Sequence, residues 1–87
     1  MPVNKKLLLV EDDMITAAAE AAMLKKNGFD VVSASSGEKA IQLINTRNFD
    51  LILMDIDLGY GINGSETAEI ILSTKMIPIV FLTSHSE

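Results

Sequence analysis

Leu51-Ile52-Leu53-Met54-Asp55 is an unbroken apolar run that ends on a carboxylate. Continuous rather than alternating hydrophobicity is the pattern of a strand buried on both faces, as in a parallel sheet covered by helices. Leu7-Leu8-Leu9-Val10 repeats the pattern and ends in Glu11-Asp12-Asp13, and Ile79-Val80-Phe81-Leu82 repeats it again and ends in Thr83-Ser84. Three strands therefore deliver polar groups to one edge of a sheet. In an open parallel sheet that carboxyl edge is where ligands bind, in the crevice where the strand order reverses.

The segments between these runs read as crossovers. Asp12 or Asp13 caps a helix that reaches about Asn27, with Ile15, Ala18, Ala19, Ala22 and Met23 expected on its apolar stripe. Lys25 and Lys26 suit its last turn, and Gly28 its left-handed stop. Phe29 to Ala34 is a second strand, and Asp30 and Ser33 within it suggest an edge position. Ser35, with Glu38 three residues later, predicts a capping box opening a helix whose apolar face is Ala40, Ile41, Leu43 and Ile44. The third strand is expected over Asp50 to Met54, with Asp55 at its end. A glycine-rich loop from Ile56 to Gly64 follows, then a helix to about Thr74 with Ala68, Ile71 and Leu72 inward. Pro78 starts the fourth strand, where its missing N–H is tolerated. This β-α-β-α-β-α-β order predicts an α/β fold, a parallel sheet with helices on both faces joined by right-handed crossovers.

Composition narrows the function classes. At 87 residues the chain is one domain at most, and its 48% apolar and 22% charged residues are those of a globular protein. A net charge of −5, with Lys5-Lys6 and Lys25-Lys26 as the longest basic runs, is not the footprint of a nucleic-acid or anionic-membrane binder. The absence of cysteine excludes disulfides, thiolate catalysis and zinc-thiolate sites. The first apolar run is four residues long and leads into acids, unlike a signal peptide, and no run approaches a membrane span. A cytoplasmic location fits these features. The clustered carboxylates, in contrast, call for a partner: like charges repel unless a cation sits among them, which points to a metal ion. Acid cluster, metal and hydroxyl together point to phosphoryl chemistry.

In their joint order and spacing, Leu8-Leu9-Val10-Glu11-Asp12-Asp13, Leu53-Met54-Asp55, the loop containing Gly64 and Pro78-Ile79-Val80-Phe81-Leu82-Thr83-Ser84 resemble the receiver domain of two-component response regulators. The resemblance runs the length of the chain. It implies a flavodoxin-like (CheY-like) three-layer sandwich, incomplete here at four of five strands and three of five helices. Residues 1–87 would then be the N-terminal part of a receiver, without its last helix–strand–helix. By the same resemblance, Asp55 accepts a phosphoryl group from a histidine kinase or phosphotransfer protein, and Glu11 and Asp12 hold Mg²⁺ together with Asp55 and the backbone carbonyl of Asp57. Thr83 is the hydroxyl that moves to the phosphoryl group, and Ser84 its neighbour and a phosphate contact. The family's fifth-strand lysine and aromatic switch have no counterpart in these residues. The loop from Asp57 to Asn63 looks about one residue longer than the common pattern. Such a chain is a phosphoacceptor and not a turnover enzyme. Its fourth strand, left as an edge, is expected to favour self-association.

Other readings attach to the same residues. Asp13 reads as a helix cap, His85 as a solvated loop residue and Tyr60 as a shield for its loop. Asp55-Ile56-Asp57 also resembles the acid pair of haloacid-dehalogenase-like phosphatases, although Leu58 stands where glycine is usual and Glu11-Asp12 would go unexplained. Asp55, Asp57, Ile62 and Glu66 fall at EF-hand loop positions, but Tyr60 occupies the position that needs glycine. A receiver-like interaction module that is not phosphorylated is the remaining alternative.

Overall fold

The computed structural model describes residues 4–59 and 61–82. Its elements alternate as β1 (Lys6–Val10), α1 (Met14–Lys26), β2 (Asp30–Ala34), α2 (Gly37–Thr46), β3 (Leu51–Asp55), α3 (Gly64–Leu72) and β4 (Ile79–Leu82). The strands form one parallel sheet in the order β2-β1-β3-β4. The chain steps from β1 outward to β2, then returns past β1 to β3, so the order reverses between β1 and β3. That is the crevice at which an open α/β sheet binds ligands.

Alternation along the central strands divides the core in two. Leu8, Val10, Ile52 and Met54 point to one face, where Ala40 and Ile44 of α2, Ile71 of α3 and Leu58 cover them. Leu7, Leu9 and Val31 point to the other, against Ala17 of α1, with Ala21, Leu24, Leu51 and Leu53 packed alongside. Leu7, Leu8, Leu9, Val10, Ile52 and Met54 are fully shielded from solvent, which accounts for the continuous apolar runs.

The helix ends follow local chemistry. Asp13 caps α1: its side chain accepts from the Ile15 N–H at 3.2 Å and from the Thr16 hydroxyl at 2.7 Å. Lys25 and Lys26 lie in the last turn, and Gly28 follows with φ +96°. Asn63 and Glu66 form a reciprocal capping box at the start of α3, with bonds of 2.8 and 3.0 Å.

Three packing expectations are corrected. The stripe Ile15, Ala18, Ala19, Ala22, Met23 does not face the sheet; Ala17, Ala21 and Leu24 do, and Ile15 is 82% exposed. The cap of α2 is Ser36, whose hydroxyl accepts from the Lys39 N–H at 3.1 Å, and not Ser35. With Ser36 as the cap, Lys39 and not Glu38 stands at the third helical position, so no box forms there, and the Glu38 carboxylate accepts the Ile62 N–H of the β3–α3 loop. Leu72 ends α3 half exposed, while Ala68 and Ile71 are inward as expected and Thr67 joins them.

Candidate functional site

β1 and β3 bring their carboxyl ends side by side, with Val10 paired to Met54. Asp55 continues the Leu51, Leu53 parity of its strand, and Glu11 continues that of Leu7 and Leu9, so both side chains stand on the face that α1 covers. Beyond Val10 the ladder extends one step, through the Glu11 N–H to the Ala34 carbonyl at 3.0 Å, and this fixes the Glu11 backbone. One carboxylate oxygen each from Glu11, Asp12 and Asp55 lies within 4.8 Å of the others. Two of the three are buried, Asp55 at 1% exposure and Glu11 at 5%, while Asp12 opens to solvent.

Hydrogen bonds secure only part of this cluster. The Asp57 N–H donates to Asp55 Oδ1 at 3.1 Å, and the Asp13 N–H donates to Glu11 Oε2 at 3.2 Å. Asp55 Oδ2 is buried with no hydrogen-bond partner among the described residues. An ionised oxygen shielded from water without a donor is costly, so the arrangement suits an added cation. Burial, and then the Asp55 charge, push the Glu11 carboxyl up to about 7, against the lowering effect of the Asp13 N–H. Asp13 behaves in the opposite way. The Thr16 hydroxyl and the Ile15 N–H hold its carboxyl below the usual aspartate value, as befits a cap.

Three hard oxygen ligands around a partly open position, with one buried oxygen in want of a positive partner, fit Mg²⁺, which binds through a few carboxylates and keeps several waters. The β3–α3 loop closes over this position. Gly59 sits at φ +74°, and a β-carbon there would lie 2.8 Å from Asp12 Oδ2, so glycine lets the loop pass close to that ligand.

The structure thus brings Glu11, Asp12 and Asp55 together and sets Asp57 against Asp55. Thr83, Ser84, His85 and Tyr60 lie outside the described residues. Three further contributions come from residues that the sequence did not assign to the site. Glu38 bridges α2 to the loop at Ile62. Asn63 and Glu66 start α3, and their three-residue spacing was a legible capping signal. Glu20 of α1 has a carboxylate oxygen, Oε1, buried without a partner among the described residues.

Comparison with known proteins places this arrangement. A family model described as response regulator receiver domain matches residues 7–87. The transcriptional regulatory protein YrkP of Bacillus subtilis (strain 168) is 37% identical over 81 residues, 93% of this chain and 34% of YrkP. PdtaR of Mycobacterium tuberculosis (strain ATCC 25618 / H37Rv), also a transcriptional regulatory protein, is 31% identical over 86 residues, 98% of this chain and 42% of PdtaR. The chain spans about a third to two fifths of the length of such relatives. Among solved structures, the N-terminal domain of a response regulator/sensory box/GGDEF 3-domain protein from Carboxydothermus hydrogenoformans is 44% identical with a TM-score of 0.91, covering 95% of this chain and 67% of that one. The response regulator MaeR bound to beryllium trifluoride is 30% identical with a TM-score of 0.82, covering 95% and 70%. The fold is CheY-like α/β, here with four parallel strands and three helices among the described residues. Among those residues no helix is long and apolar enough to cross a membrane.

Proposed function

Because this chain belongs to the response regulator receiver domain family, we propose that it accepts a phosphoryl group on Asp55 from a histidine kinase or phosphotransfer protein of a two-component system. The observation that carries the reading is Asp55 Oδ2, a buried, unpartnered carboxylate oxygen in a three-carboxylate cluster at the β1/β3 crevice. Glu11, Asp12, Asp55 and the backbone carbonyl of Asp57 would hold Mg²⁺. When bound, this ion neutralises charge and orients the donor for in-line transfer. Asp55 supplies the nucleophile: one of its oxygens bonds to phosphorus as the bond from phosphorus to the donor's leaving atom breaks. The Asp57 N–H, bonded to Oδ1, holds the carboxylate plane while Oδ2 stays available. The product is an acyl phosphate on the protein, so the chain is a phosphoacceptor and not a turnover enzyme. Incubation with a small phosphodonor is expected to add one phosphoryl group at Asp55.

The signal then has to reach the surface. Thr83, which follows β4, is the hydroxyl that donates to the new phosphoryl oxygens, with Ser84 as a neighbouring contact. Shifting a two-state segment from 1:99 to 99:1 takes about 5.5 kcal/mol. One charge-assisted hydrogen bond contributes only about 1.5–3 kcal/mol. Thr83 therefore acts together with other parts of the domain.

Residues 1–87 are read as the N-terminal part of a receiver domain. Uncovered apolar surface on the described elements supports this reading. Val80 is 46% exposed on the α1 side of the sheet, and Ile15 and Met23 of α1 are exposed as well. Among the described residues β4 pairs only with β3. An apolar edge strand of this kind templates pairing with a second copy. Sedimentation equilibrium of this chain is expected to show concentration-dependent association, weakened by Val80→Lys; a monomer at every concentration would refute the edge argument. With its acidic charge, the segment itself is proposed to bind neither nucleic acid nor membrane, and to work in the cytoplasm beside its kinase.

A further inference from the structure

We propose that Glu20 is a fourth carboxylate of the acidic site, a positioning residue outside the ligand set that strengthens the site's hold on a divalent cation. The inference rests on the cation site of the preceding reading and adds a residue from a different element. Glu20 lies on α1, one turn beyond Ala17 and one turn before Leu24, both of which pack on the sheet. Met14 and Ala18 occupy the flank of α1 that lines a cavity with Val32, Ser33, Ala34 and residues of α2. At 100° per residue, Glu20 falls on the opposite flank, the one turned toward β3. Asp55 and Glu11 present their side chains on this same face of the sheet.

Two side-chain oxygens among the described residues are buried without a hydrogen-bond partner: Glu20 Oε1 and Asp55 Oδ2. Their electrostatic coupling fits this placement. The Asp55 charge adds to burial in raising the Glu20 carboxyl, and the Glu20 charge is among the causes that raise Glu11. Glu20 is not among the carboxylates that meet within 4.8 Å, so it acts through space and not as a ligand. A glutamate beside a strip of Ala17, Ala21 and Leu24 loses solvation without gaining a donor, and a leucine there would pack at lower cost. A cation at the strand ends offsets that loss, because it attracts all four carboxylates. The fourth negative charge makes the site a stronger divalent-cation trap than three carboxylates alone.

The test is direct Mn²⁺ binding to this chain, followed by the electron paramagnetic resonance of free Mn²⁺ and competed with Mg²⁺. Wild type is compared with Glu20→Gln, Glu20→Leu and Asp55→Asn. Removing one unit charge acting on a doubly charged ion is expected to weaken binding about fivefold at low salt. The deficit should shrink as salt is added, which a merely structural role would not produce. Glu20→Gln keeps the shape of the side chain and decides the matter if Glu20→Leu fails to fold. Equal affinity in wild type and Glu20→Gln overturns the inference and leaves the phosphoacceptor reading intact. No Mn²⁺ binding by wild type overturns both.

Discussion

Gly64→Ala is expected to destabilise the chain by about 2–3 kcal/mol, although alanine is the better helix former. Gly64 opens α3 and donates its N–H to the Ile56 carbonyl at 2.9 Å. A β-carbon there would strike the backbone carbonyl oxygen of Asp55 and lie 2.9 Å from Ile56 Cα. Both are main-chain atoms at the end of a central strand, so neither can rotate away. Helix propensity would favour alanine over glycine by about 0.5–1 kcal/mol, and the clash outweighs it. For a domain of this size, the loss corresponds to a fall of roughly 10–20 °C in melting temperature. Thermal unfolding by circular dichroism reads it, with the exposed neighbour Ser65→Ala as a control expected to change little. An unchanged melting temperature in Gly64→Ala would mean that α3 does not approach the Asp55 backbone this closely. The same contact ties the start of α3 to the residue proposed to be phosphorylated.

The second large effect is a pH dependence. In EDTA, stability is expected to fall as pH rises from about 4.5 to about 7, through the Glu11 carboxyl. The sign follows from linkage. A carboxyl whose folded value is raised holds its proton more tightly in the native state. Its stabilisation is complete below the unfolded value near 4.5 and lost as pH passes about 7. Glu20, raised by burial and by Asp55, acts with the same sign. The loss should be on the order of 2–3 kcal/mol across that window, visible as a lowered melting temperature. Asp55→Asn removes one repelling charge and is expected to flatten the decline without abolishing it, because burial is the larger cause for Glu11. Divalent cation opposes the trend, since it binds the ionised carboxylates that the apo site disfavours. A stability profile that rises from pH 4.5 to 7 in EDTA, in wild type and Asp55→Asn alike, would contradict the crowding of Glu11 and Asp55.

The strands and the acidic edge were legible for one reason. Leu7–Val10 is buried on both faces and Leu51–Met54 is buried on one face and partly covered on the other, so their hydrophobicity is continuous, and the first polar residue after each run marks the carboxyl end of a strand. In a parallel sheet those ends lie together, so Glu11, Asp12 and Asp55 were brought side by side by topology alone. Helix phase was not legible in α1. Alanine, methionine and isoleucine are spread around that helix, and no stripe stands out from composition. The side that packs is chosen by what lies beneath it, Leu7, Leu9 and Val31, and it admits small Ala17 and Ala21 while leaving Ile15 in solvent. Adjacent serines made the α2 cap ambiguous. Ser36 takes that place, and Glu38 turns to the loop at Ile62, a contact between segments 24 residues apart that no local pattern encodes. Glu20 was hidden by the same ambiguity of phase, since only a correct inward face makes a glutamate there notable.

The most direct test of the phosphoacceptor reading is intact-protein mass spectrometry after incubation with acetyl phosphate, with and without Mg²⁺, on wild type and Asp55→Asn. The account predicts a gain of one phosphoryl group in wild type that requires Mg²⁺ and is absent from Asp55→Asn. The same gain in Asp55→Asn, or no gain in wild type with Mg²⁺, would contradict it.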